Sequence, residues 1–96
     1  MTSNGQYKGF RIQVLNTRSR EEAFKLKSDI MQMFPSQKAY VLYQSPYFKV
    51  RVGNFPEKDE AAAFRSKLLK KYRQNVYVVE DVIDYIPKEP EDPLLN

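Results

Sequence analysis

Phe10-Arg11-Ile12-Gln13-Val14 returns at an offset of 38 residues as Phe48-Lys49-Val50-Arg51-Val52. In both stretches apolar residues alternate with polar or charged ones, the period-2 pattern of a strand with one buried face. The match continues outward at the same offset. Asn16 lies over Asn54, Ala23 over Ala61, Leu26 over Phe64, Ile30 over Leu68, Phe34 over Tyr72, and Tyr40-Val41 over Val78-Val79. Two copies are too few for a solenoid, so they read as halves of one pseudo-twofold domain sharing a core.

Each copy reads strand, helix, strand. The first helix is expected to start at Ser19, because Ser19-Arg20-Glu21-Glu22 has capping-box spacing: the hydroxyl accepts from an orphan N–H while Glu22 reaches back. Ala23, Leu26, Ile30, Met33 and Phe34 form one helical stripe, and Pro35 ends it. Residues 38–43 form the second strand, Gln44-Ser45-Pro46 turns the chain, and the third strand follows from Tyr47. Pro56 and the acidic Glu57-Lys58-Asp59-Glu60 open the second helix, whose buried stripe is Ala61, Phe64, Leu68 and Tyr72. The fourth strand is expected from about Val76 to Ile86, where Pro87 stops it.

The order βαββαβ, with right-handed crossovers, gives an α+β fold of ferredoxin-like or RNP-like topology. One four-stranded antiparallel sheet carries two helices on one face and leaves the other open. The division expected is a flexible N-terminus at 1–7, the domain at 8–86, and a Pro-rich acidic tail at 87–96.

Composition narrows the function. The 96 residues contain no Cys and no His, which removes thiolate and imidazole metal sites, Cys nucleophiles and a His base. Glu21-Glu22 and Asp59-Glu60 sit in first helical turns, where the helix dipole accounts for them. Met31 and Met33 read as core filling, and Gly53 as a strand end or close approach. No enzyme, cofactor or metal is expected. Met1 to Gly9 is polar, without the apolar stretch of a signal peptide, and no run is long and apolar enough for a membrane span, so no membrane contact by this segment is expected. Net charge is +4, divided into +8 over residues 1–80 and −4 over 81–96, so the body favours anionic partners.

If Phe10, Ile12, Val14, Phe48, Val50 and Val52 face the helices, then Arg11, Gln13, Tyr47, Lys49 and Arg51 share the open face. An amide beside cations and a phenol suits hydroxyl- and amide-rich ligands, with a ring available for stacking. In the outer strands Ala39, Val41, Tyr77 and Val79 are expected to face the helices, with Tyr40 and Leu42 outward and Tyr43 unassigned.

Phe10-Arg-Ile-Gln-Val, the helix with Ala23, the string Tyr47-Phe-Lys-Val-Arg-Val-Gly53-Asn-Phe55 and the helix with Ala61 together resemble the SPOR (sporulation-related repeat) domain over residues 8–86. The hairpin from Tyr43 to Gly53 is similar to versions carried by Bacteroidetes-type envelope proteins. The resemblance implies a non-catalytic, peptidoglycan-binding module in the periplasm or cell envelope. It implies recognition of glycan strands stripped of stem peptides across the open sheet face, targeting of a parent protein to the septum, and divisome or envelope proteins as further partners. Carried over by position, the glycan-binding residues are Gln13, Asn16, Tyr47 and Lys49, to which the open face adds Tyr40 and Arg51. The sequence departs from the family at Leu15-Asn16-Thr17, where a Gly, a small hydroxyl and an aromatic are usual.

Two other readings stand beside it. RNA-recognition modules share the topology and bind single strands on the open sheet, yet the third strand lacks their paired stacking rings. A protein-interaction domain using a sheet edge or the acidic tail is the other.

Overall fold

The structure, a computed structural model, describes residues 6–72 and 76–85. Its elements are β1 (Gln6–Thr17), α1 (Arg20–Met33), β2 (Ala39–Gln44), β3 (Tyr47–Phe55), α2 (Lys58–Leu69) and β4 (Tyr77–Asp84). The four strands form one antiparallel sheet in the order β2-β3-β1-β4, the α+β arrangement expected. Residues 6 and 7, assigned above to a flexible terminus, already belong to β1. Ile86 and the acidic tail lie outside the described residues.

The core forms between the two helices and one face of the sheet. Ile12, Val14, Val50 and Val52 meet Ala23 and Ile30 of α1 and Ala61, Phe64 and Leu68 of α2. Burying each of the larger aliphatic side chains contributes about 1.5–3 kcal/mol. Ala23 and Ala61, both fully buried, are small enough to let each helix lie close on the strands. The Ser19 hydroxyl accepts from the Glu22 N–H at 3.1 Å, as the cap spacing predicts. Glu22 does not reach back to the Ser19 N–H. That N–H donates to the Thr17 hydroxyl oxygen, and the same hydroxyl donates to the Glu22 carboxylate. A hydroxyl can donate and accept at once, so Thr17 relays the box that Glu22 alone was expected to close.

Two bulges set which residues reach the open face. Phe10 pairs with Phe55 but Ile12 with Val52, so β3 carries an extra residue opposite Arg11. Gly53 sits there with φ of 89°, a left-handed conformation in which a Cβ would also strike the Phe55 ring. Beyond it, Gln13 pairs with Arg51 and Leu15 with Val50, so β1 carries the second extra residue. Val14 and Leu15 both reach the core, and Asn16 swings to the open face opposite Lys49. Strict alternation from Val14 would have pointed it at the helices.

The expected facing of β4 is corrected. Tyr77 pairs with Gln13 and Val79 with Arg11, which places both on the open face, while Val76 and Val78 pack into the core. The facing of β2 is as expected, with Ala39 and Val41 opposite Val52 and Val50, and Tyr40 and Leu42 outward. The inward pair of β4 therefore lies one residue out of step with the 38-residue offset, and an odd shift exchanges the two faces of a strand. Arg65 of α2 holds the entry to β4, donating from Nε to the Val76 carbonyl at 2.6 Å. Tyr43 lies opposite Phe48 on the helix side, ring centroids 4.7 Å apart.

Candidate functional site

A row of side chains crosses the open face in register: Tyr77 on β4, Gln13 on β1, Arg51 on β3 and Tyr40 on β2. Gln13 ties it together, donating from Nε2 to the Tyr77 hydroxyl at 3.0 Å and accepting at Oε1 from Arg51 Nε at 3.0 Å. It is only 4% exposed, so its amide chiefly orients a phenol and a guanidinium.

Asp81 joins this row to Arg11. A single oxygen, Oδ2, accepts from Arg51 at 3.1 Å and from Arg11 at 3.2 Å, while Oδ1 accepts from the Val82 N–H at 2.8 Å. The Arg11 guanidinium lies 3.9 Å from the centroid of the Tyr40 ring and donates to the Gly53 carbonyl and to Asn54 Oδ1. Asn54 in turn donates to the Tyr40 hydroxyl at 2.7 Å, and that hydroxyl donates to Asp84 at 2.9 Å. No buried side-chain nitrogen or oxygen lacks a partner among the described residues. A polar layer in low dielectric is stable only when fully satisfied, and this one is. Two guanidiniums share one carboxylate, leaving the cluster a formal +1.

One end of this layer is open. Lys49 stands opposite Asn16, and Tyr47, two residues earlier on the same face, is 36% exposed. Arg18, from the connection between β1 and α1, lies 5.4 Å from the centroid of the Tyr47 ring. Lys49 has no ion-pair partner among the described residues. At the opposite end the face is closed by Tyr7, Ile83 and Tyr85: Ile83 is buried, and the Tyr7 and Tyr85 rings meet edge-on at 5.1 Å. Gly9 makes room there, since a Cβ would collide with the Ile83 side chain and the Phe55 carbonyl.

The structure thus brings Gln13, Asn16, Tyr40, Tyr47, Lys49 and Arg51 to one face, in two settings. Asn16, Tyr47 and Lys49 form the accessible end, whereas Gln13, Tyr40 and Arg51 are wired into the polar layer. Arg11 is present on the face but buried. Asp81, Asn54 and Tyr77 escaped the reading of the sequence. The signal for Tyr77 and Asp81 was their shared parity in β4, which the misplaced register inverted. No group of three acidic side chains that could hold a metal ion occurs among the described residues, and no described helix is long and apolar enough to cross a membrane.

An RNP-like sheet with a helix-free polar face defines the class as a small α+β binding module. The SPOR domain model matches residues 6–79, and the chain belongs to that family. Among solved structures it is similar to the peptidoglycan binding domain of the B. subtilis cell wall lytic enzyme CwlC, seen in solution. The TM-score is 0.64 at 21% identity, with 84% of this chain and 96% of that domain covered. At that identity the likeness is one of fold. No curated protein matches the chain.

Proposed function

We propose that this chain is a non-catalytic peptidoglycan-binding module of the cell envelope. Its ligand is the glycan strand stripped of stem peptides, bound across the open face, and its role is to bring a parent protein to the septal wall. The observation that carries the reading is the accessible trio Asn16, Tyr47 and Lys49, set by register beside the row of Gln13, Arg51 and Tyr77. Membership of the SPOR family and the fold shared with a peptidoglycan binding domain support it.

The chemistry of the ligand suits these groups. A glycan without peptides presents acetamides, hydroxyls and the lactyl carboxylate of each muramic acid. The Tyr47 ring offers a flat apolar surface to a pyranose, Asn16 a donor and acceptor to an acetamide, and Lys49 a charge to a carboxylate. A stem peptide both amidates that carboxylate and adds bulk beside a ring that must approach closely, so charge and sterics disfavour substituted strands together.

The test is sedimentation of the protein with purified sacculi, intact and amidase-stripped. Retention on stripped sacculi alone supports the reading. Retention on neither, with single-stranded RNA bound at an affinity that falls log-linearly with salt, would replace it by a nucleic-acid module.

A further inference from the structure

The polar layer engages two carboxylates, Asp84 through the Tyr40 hydroxyl and, between the two guanidiniums, Asp81, which a face built only to attract an anionic ligand would not carry. Asp81 lies between Arg11 and Arg51, with side chains 17%, 8% and 14% exposed respectively, and one oxygen accepts from both. Each guanidinium is further engaged, Arg11 by Asn54 and the Gly53 carbonyl, Arg51 by Gln13. A ligand carboxylate approaching Arg51 would have to share it with a carboxylate already in place and meet that carboxylate's charge. Two residues along the same strand, Lys49 faces the same side with no acidic partner among the described residues.

We propose that Asp81 sets the charge selectivity of this face: as a built-in counter-ion it withholds Arg11 and Arg51 from anions, so that the ligand's carboxylate is received at Lys49 and a neutral sugar lies over the row of Tyr77, Gln13 and Arg51. This rests on the glycan reading and deepens it. Successive open-face positions on a strand are about 6.6 Å apart, so one carboxylate at Lys49 leaves the next part of the chain over the layer. Without Asp81 the cluster would carry +2, and the face would accept anions indiscriminately. With it, the face separates an alternating glycan, part acidic and part neutral, from polyanions of uniform charge. Asp81 acts through the arginines and touches no ligand itself.

The experiment uses peptide-free peptidoglycan oligosaccharides in two forms, with lactyl carboxylates intact or reduced to alcohols. Binding of the full 96-residue chain is measured by calorimetry across a range of NaCl concentrations. The wild type favours the carboxylate form, and Lys49→Gln erases that preference. Asp81→Asn, nearly isosteric, binds the carboxylate form about 5-fold more tightly at low salt, with no gain for the alcohol form, and the gain shrinks as salt rises. A scaffold role would instead weaken both forms equally, and that result overturns the proposal. Arg51→Gln keeps the assignment testable should Asp81→Asn fail to fold. It weakens both forms alike and leaves their ratio intact, whereas loss of the ratio would mean that Arg51 receives the carboxylate, which also overturns the proposal. A wild type that binds neither form sinks the glycan reading itself, a result distinct from equal binding of the two forms, which overturns only the charge selectivity.

Discussion

Removing the Tyr47 ring is the sharpest test of where a ligand lies. The residue is 36% exposed, stands opposite Gln44 at the end of the β2–β3 hairpin, and is not a member of the buried core. About a third of the roughly 200 Å² that a tyrosine can bury is about 70 Å² of surface for a sugar to cover. At about 25 cal/mol per Å² this is about 1.8 kcal/mol, or a 20-fold rise in Kd for Tyr47→Ala when the ring is fully covered. Folding is affected too: the two-thirds of the residue already covered in the folded chain, about 130 Å², corresponds by the same coefficient to about 3 kcal/mol as an upper bound. A cost of that size corresponds to a fall in Tm of no more than about 12–24 °C, so binding is compared well below the melting range of the variant. Calorimetry with a peptide-free oligosaccharide, paired with thermal melts by circular dichroism, reads both quantities. Tyr47→Phe keeps the flat surface and should stay within about threefold of wild type. An alanine variant that is folded at the assay temperature and binds within twofold of wild type would refute the reasoning, since no ligand could then be stacked on this ring.

Four further outcomes are expected. Ser19→Ala leaves the Glu22 N–H without its cap and lowers stability by about 1 kcal/mol in urea unfolding, with binding to stripped sacculi retained. Gly53→Ala forces a side chain into a backbone at φ 89° and against the Phe55 ring, lowering stability by about 1–3 kcal/mol and displacing Asn54 from Arg11. Ile30→Ala opens a hole between α1 and the sheet and costs about 2–5 kcal/mol, measured the same way. Tyr72 is raised above the ordinary tyrosine pKa, first by burial and then by the nearby Asp29 carboxylate, so the folded state holds its proton longer than the unfolded chain. Its contribution to stability is whole below about pH 10 and is lost as pH rises past the unfolded value towards the folded one. Tyr72→Phe should therefore flatten the alkaline loss of stability above about pH 10 relative to wild type.

The local patterns carried most of the fold. The alternation at Phe10–Val14 and Phe48–Val52, the stripe Ala23–Leu26–Ile30 and the cap at Ser19 each express a preference contained in a few neighbouring residues, and the structure realises them. The candidate face was legible through the same alternation in the two central strands. Where β1 bulges at Val14-Leu15 and β3 at Gly53, the alternation breaks for a reason that resides in the partner strand. A bulge is an outcome of fitting two strands together, and neither strand alone announces it.

The order of elements, the inward set of the central strands and the identity of the exposed polar groups are all written locally in the chain, because period and composition are local properties. How those groups are shared is settled by the fold, through contacts between residues far apart in the chain. Arg11 and Arg51 look equally available as free cations along the chain, yet Asp81, 70 residues from one and 30 from the other, claims both. The outward turn of Tyr77 likewise depends on the register that β4 finds against β1. Long-range pairing converts a list of cations into a layer in which one carboxylate holds two guanidiniums, with Lys49 at its edge unpaired among the described residues, and no local pattern encodes which carboxylate will arrive.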